Sequence, residues 1–217
     1  MLNFLIILLA AVLLAGLLYC EKKEVLKAKL AVKTVLSSLF VLSAVIQPHP
    51  MVAYYGYILP GLVFCLGGDV FLALPGKKMF LYGLVSFLLG HVLYGVAFFH
   101  TAGVNLWTLA GLAVSLIVSG GVYLVLQSHL GSMKIPVICY ILVITVMVVG
   151  AWSMAGADEL KWTGRLAAFA GAVGFYVSDV FVARQRFLKT DFVNRLIGLP
   201  LYYSGQFLLA FSVGIIG

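Results

Sequence analysis

Eight apolar runs, each about as long as a bilayer's hydrocarbon core is thick, follow one another along this 217-residue chain. Crossing that core takes about 20 residues of helix. The runs lie at 2–19, 30–47, 54–74, 79–99, 105–126, 134–153, 163–183 and 196–216. Turn formers separate them: Pro48 and Pro50, Pro75-Gly76, Gly103 with Asn105, Gly131-Ser132, and Gly156 with Asp158. With 64% hydrophobic and 10% charged residues, the composition excludes a soluble domain. The chain reads as all-α, a polytopic membrane protein of eight helices. The short connections predict antiparallel neighbours in one domain, 1–217.

The net charge of +7 is not spread as in a nucleic-acid-binding protein, so no nucleic acid is expected. Lys22, Lys23, Lys27 and Lys29 fill the first connection, and Lys33 lies just inside the next helix. Lys77 and Lys78 mark the third, Lys134 the fifth, and Arg184, Arg186, Lys189 and Arg195 the seventh. The second and fourth connections have none, and the sixth has only Lys161 and Arg165. Because basic loops stay in the cytoplasm, the odd connections face inward and both termini face outward. A bacterial plasma membrane fits this pattern. No positive region precedes residue 2, so a cleavable signal peptide is not expected. Bulky Tyr19 disfavours a lipoprotein site at Cys20. Cys20, Cys65 and Cys139 lack metal-ligand spacing and read as free thiols.

Two aspartates interrupt the apolar pattern, and their surroundings repeat. Gly61 and Gly171 each lie eight residues before an aspartate, Asp69 and Asp179. Val-Phe follows both, and an Ala comes four residues later. A carboxylate within a bilayer costs on the order of 2.5–3.5 kcal/mol even on the lenient insertion scale, so such residues are usually functional. The third and seventh helices run in the same direction, which predicts two same-orientation four-helix repeats, 1–104 and 105–217. The following helices align as G90-HVLY94 against G198-LPLY202. Asp69 lies six residues before Pro75 and Asp179 five before Arg184. At ~1.5 Å per residue both sit roughly 7–9 Å from the cytoplasmic end. The expectation is a paired-carboxylate site on that side.

Other polar residues in apolar runs are candidate site members. Lys33 shares that depth, and either a lipid phosphate or an aspartate is a suitable partner. Ser86, His91 and Tyr94 lie in the fourth run, Tyr140 in the sixth, and Tyr202, Tyr203 and Gln206 in the eighth. Tyr202 and Gln206 share a face at i, i+4. Pro200 is expected to free a backbone carbonyl and kink its helix. The alternative reading is snorkelling to the interface for Lys33, and packing, or an interfacial aromatic belt for the tyrosines, for the others. The abundant glycines read as close helix contacts.

The segments GLVFCLGGDVFLAL, GLVSFLLGHVLYGVAF, SDVFVARQRF and LYYSGQFLLAFS resemble the YhhN-type lysoplasmalogenase family of integral membrane proteins. The resemblance covers nearly the whole chain. It implies an enzyme that cleaves the vinyl ether of a lysoplasmalogen to a fatty aldehyde and glycerophosphoethanolamine or glycerophosphocholine. It also carries over Asp69 and Asp179 as the catalytic pair. Thr34 follows Lys33 where the family often has Lys-Pro. The chemistry suits two carboxyls, since vinyl ethers hydrolyse by carbon protonation and water addition. Nothing calls for a metal or another cofactor; the partners are a lysophospholipid substrate and membrane lipids. The alternatives are a proton-coupled or small-solute transporter and an intramembrane aspartyl protease. The protease reading lacks its Gly-x-Gly-Asp motif, because Leu66 precedes Gly67-Gly68-Asp69. Oligomeric state is not encoded in these features.

Overall fold

The computed structural model describes residues 2–217. Eight helices follow in order: α1 (Leu2–Lys23), α2 (Leu26–Ile46), α3 (Val52–Ala73), α4 (Lys77–Ala102), α5 (Leu106–Leu126), α6 (Lys134–Ala155), α7 (Trp162–Ala183) and α8 (Phe192–Ile215). Every one is long and apolar enough to cross a bilayer. No strand occurs among the described residues. A short 3-10 turn, Gly131–Met133, precedes α6, and a π turn, Arg184–Leu188, extends α7.

Several helices outrun the apolar runs at their basic ends. Helix α1 continues to Lys23, α2 begins at Leu26 and α8 at Phe192. Lysine and arginine stems let a helix leave the hydrocarbon while their charges reach water, so hydropathy alone underestimates its length. Local chemistry sets the other ends. Asn105 and Thr108 form a reciprocal capping box that starts α5. Gly103 closes α4 at φ +61°, and its N–H donates to the Phe99 carbonyl. Helix α8 is continuous through Pro200, as α3 is through Pro60.

The longest contacts are α3 against α4 and α7 against α8, with α4 also packed on α6. Helix α8 reaches back to α1, α2 and α3, whereas α5 packs chiefly on α6. Glycines bring the two main pairs together. A Cβ on Gly90 would stand 3.0 Å from the Gly61 carbonyl oxygen, and one on Gly205 2.7 Å from that of Gly171. One level nearer the basic end, Gly83 meets the Gly68 carbonyl and Gly198 the Ser178 carbonyl. Gly68 and Ser178 each precede a repeated aspartate. This packing pairs Gly83 with Gly198 and Gly90 with Gly205. These contacts differ from the sequence match of Gly90 with Gly198 by seven residues, or two turns. The sequence match rests on a shared Gly-x-x-Leu-Tyr pattern, whereas close backbone approach sets the register of the contacts. Counted from these glycine contacts, Phe87 takes the place of Tyr202 and His91 that of Gln206.

Outward faces are apolar, as at Leu5, Ile117 and Leu142, while the buried centre holds polar groups. Tyr54 of α3 donates to Ser212 of α8 at 2.8 Å, and the Ser212 hydroxyl donates to the Leu209 carbonyl. Phe40, Phe87, Phe175, Tyr202 and Tyr203 form a continuous aromatic cluster. The candidate site is built beside it.

Candidate active site

Asp69 lies one turn before the end of α3 and is 1% exposed. Three donors meet its carboxylate. Lys33 Nζ donates to Oδ1 at 2.7 Å, while the Ser37 and Tyr202 hydroxyls donate to Oδ2 at 2.5 and 2.6 Å. Lys33 and Ser37 are four residues apart, so α2 presents both on one face. Tyr202 comes from α8. A lone carboxylate or ammonium here would bear a large desolvation cost; paired and hydrogen-bonded, the two make a neutral unit. Tyr203 lies behind it, 3.4 Å from the Ser37 hydroxyl.

Asp179 occupies the corresponding place on α7 but has different company. The Tyr140 hydroxyl of α6 donates to Oδ2 at 2.6 Å. No basic side chain among the described residues lies within ion-pair distance of it. The two sites thus share a plan, with a donor from the preceding helix, but the donor is a cation in one and a neutral hydroxyl in the other.

Both carboxyls line one cavity, together with Lys33, Tyr140 and Tyr202. Its empty space, open mouth included, is about 1090 Å³. Deep in it the walls are apolar, with Phe87, Ile144 and Phe175. Phe80, Phe187, Asn194 and Arg195 border it toward the basic end, where α4, the π turn and α8 meet. On the α5 side, Tyr176 and Ser119 are joined by a 2.5 Å hydrogen bond, and Ser119 also bonds Thr145 at 2.6 Å.

The remaining sequence candidates lie outside this cavity. Ser86 donates to the Phe64 carbonyl at 2.6 Å and so joins α4 to α3. Tyr94 donates to Gln206 Oε1 at 2.9 Å, one helical turn deeper than Tyr202. His91 is fully buried among Tyr94, Tyr140 and Phe175, and neither ring nitrogen has a hydrogen-bond partner. It borders a separate apolar groove between α4 and α6. Of the two partners open to Lys33, the structure pairs it with the aspartate. Sequence reasoning passed over Ser37, Ser119, Tyr176 and Asn194, and took Arg195 only as a loop charge. Serines in apolar helices bond their own backbone so often that they carry no signal. Among the described residues no group of three or more His, Cys, Asp or Glu could hold a metal ion, and all three cysteines are free.

A family model described as the YhhN family matches residues 28–213. The chain is 34% identical over 160 residues to the bovine (Bos taurus) protein named lysoplasmalogenase TMEM86A, covering 71% of this chain and 64% of the relative. The human (Homo sapiens) protein of that name is 33% identical over 159 residues, with the same coverage. A Mycobacterium tuberculosis protein named lysoplasmalogenase is 28% identical over 169 residues, 75% of this chain and 61% of the relative. The chain therefore spans less than two thirds of the length of the curated relatives it matches. No solved structure matches. With eight membrane-length helices and a family match over most of its length, the chain is an integral membrane protein that belongs to the YhhN family.

Proposed function

We propose that this protein hydrolyses the vinyl ether of a lysoplasmalogen, releasing a fatty aldehyde and glycerophosphoethanolamine or glycerophosphocholine. The observation that carries the proposal is the unequal carboxyl pair on one cavity, in a chain related to proteins named lysoplasmalogenase. The same reading takes residues 1–217 as one domain of two four-helix units, 1–104 and 105–217, in a bacterial plasma membrane. Both termini face outward, and the carboxyls lie toward the cytoplasm.

Charge balance supports a division of labour. Lys33 neutralises Asp69, which acts as a fixed anion. A second negative charge at Asp179 has no cation to meet it, so Asp179 carries the proton. The acid gives that proton to the distal vinyl carbon, and the carbon beside the ether oxygen becomes an oxocarbenium centre. Asp69 stabilises the positive charge through space without moving. Water adds to the cationic carbon and returns a proton to the Asp179 carboxylate. The resulting hemiacetal collapses to aldehyde and the glycerol hydroxyl. One water is consumed and the acid is restored. Tyr140 orients Asp179, and Phe87, Ile144 and Phe175 supply an apolar wall for the alkenyl chain.

The test is aldehyde release from purified protein and lysoplasmalogen. Asp179→Asn and Asp69→Asn are each expected to lower turnover at least ~100-fold, the usual worth of a general acid or a fixed charge. Near-normal turnover by either variant, with the fold intact, would overturn the mechanism. No aldehyde from the parent protein across a lysolipid panel would overturn the activity.

A further inference from the structure

We propose that Arg186 and Arg195 form a phosphodiester site at the mouth of the cavity and set how deeply a single-chain glycerophospholipid enters. This rests on the vinyl ether reading above. The chain has four arginines, and Arg184, Arg186 and Arg195 stand together where α7 ends and α8 begins. The first and third connections, by contrast, carry lysine only. Retention of a loop in the cytoplasm needs either residue; recognition of a phosphate favours arginine, whose planar fork donates two parallel hydrogen bonds.

Side-chain hydrogen bonds tie the local frame together. Arg184 donates to the Asn194 side-chain oxygen. Asn194, itself 2% exposed, donates to Gln185 Oε1 at 2.7 Å and to the Lys189 carbonyl at 2.8 Å. Gln185 Oε1 also accepts from the Asp191 N–H at 3.0 Å. The π turn thus commits Arg184 to structure and sends Arg186 across to α4. There its guanidinium lies 4.4 Å from the ring centre of Phe80, which borders the cavity. Arg195 borders the cavity directly. Its Nε faces Glu21 at 3.7 Å, and its Nη groups have no protein partner among the described residues. Arg186 has no carboxylate partner among them either.

The depth of the site agrees with the substrate. From Asp179 to the turn of Arg184 and Arg186 is five to seven residues, roughly 8–10 Å along the axis. In a lysoplasmalogen, seven bonds separate phosphorus from the distal vinyl carbon, about 8 Å when extended. A phosphate held at the mouth therefore puts that carbon level with Asp179. The amine of the headgroup then projects past the arginines toward water, so ethanolamine and choline substrates are treated alike.

The experiment compares alkenyl glycerophosphocholine, alkenyl glycerophosphoethanolamine and alkenylglycerol in phosphate-free detergent. The Arg186→Gln/Arg195→Gln protein is expected to raise KM at least about tenfold for both phosphate-bearing substrates and to lower their kcat toward that of alkenylglycerol, because the vinyl carbon loses its register with Asp179. KM for alkenylglycerol stays the same, because that lipid offers nothing to the arginines. The Lys23→Gln/Lys27→Gln protein is the charge-matched control and keeps parental KM for all three. Equal weakening of all three substrates by the arginine variant, or of none, overturns the proposal; equal weakening is also what a bilayer-lipid contact would give. Binding of the non-hydrolysable 1-O-alkyl glycerophosphocholine, against 1-O-alkylglycerol, separates this proposal from the catalytic one. A preference for the phosphate-bearing analogue that vanishes in the arginine variant upholds the site even if no vinyl ether is cleaved. Equal binding of the two analogues to the parent protein overturns the site even if cleavage is seen.

Discussion

Lys33 and Tyr140 hold matching places, each early in the helix before an aspartate, and each donates to that aspartate. One difference in donor makes the two carboxyls chemically distinct. Removing the ammonium by Lys33→Met leaves a buried carboxylate without its counter-charge, a change worth about 3–5 kcal/mol. The expected result is a large fall in detergent-solubilised melting temperature together with lost turnover. Lys33→Met/Asp69→Leu should recover most of the melting temperature and none of the activity, which thermal unfolding and aldehyde assays read separately. Tyr140→Phe removes one neutral donor, worth roughly 1 kcal/mol. Turnover is expected to fall about five- to tenfold with folding unchanged. Asp69, Asp179, Lys33, Tyr140 and Tyr202 were legible in the sequence because a polar group in an apolar helix is costly. His91, Tyr94 and Gln206 give the same signal but serve a deeper layer, and a one-dimensional pattern does not tell one layer from the next.

Among the elements, the glycine contacts decide how helices pair. Gly205→Ala would press a methyl group 2.7 Å from the Gly171 carbonyl oxygen, and backbone there cannot yield cheaply. It is expected to lower the melting temperature by several degrees. Gly120→Ala on α5 meets nothing within 4 Å and should be neutral or stabilising by about 0.5–1 kcal/mol, through helix propensity alone. Equal effects of the two substitutions would argue against close packing as the reason for Gly205. The helices were readable as apolar runs of the right length. Their charged ends were not, because lysine stems continue a helix past the point where hydropathy falls. The π turn had no sequence signature; Arg184, Gln185 and Asn194 define it through contacts across the α7–α8 junction.

For the whole molecule, the distribution of charge implies a direction in the membrane. Single cysteines placed at the exposed positions Lys78 and Glu159 in a cysteine-free background should react with an impermeant maleimide from opposite sides, the first from the cytoplasm. Labelling of both from one side would contradict the eight-span topology. That topology also bears on how the site is made. Lys33 and Asp69 lie 36 residues apart on consecutive helices, so their charges can cancel while that hairpin is still entering the bilayer. Tyr202, which completes the bonding of the same carboxylate, lies 133 residues downstream of Asp69 on α8. The nascent protein therefore neutralises its costliest charge early but finishes the pocket only once α8 has been made. A chain stalled before α8 would be inserted and tolerated by the bilayer, yet inert.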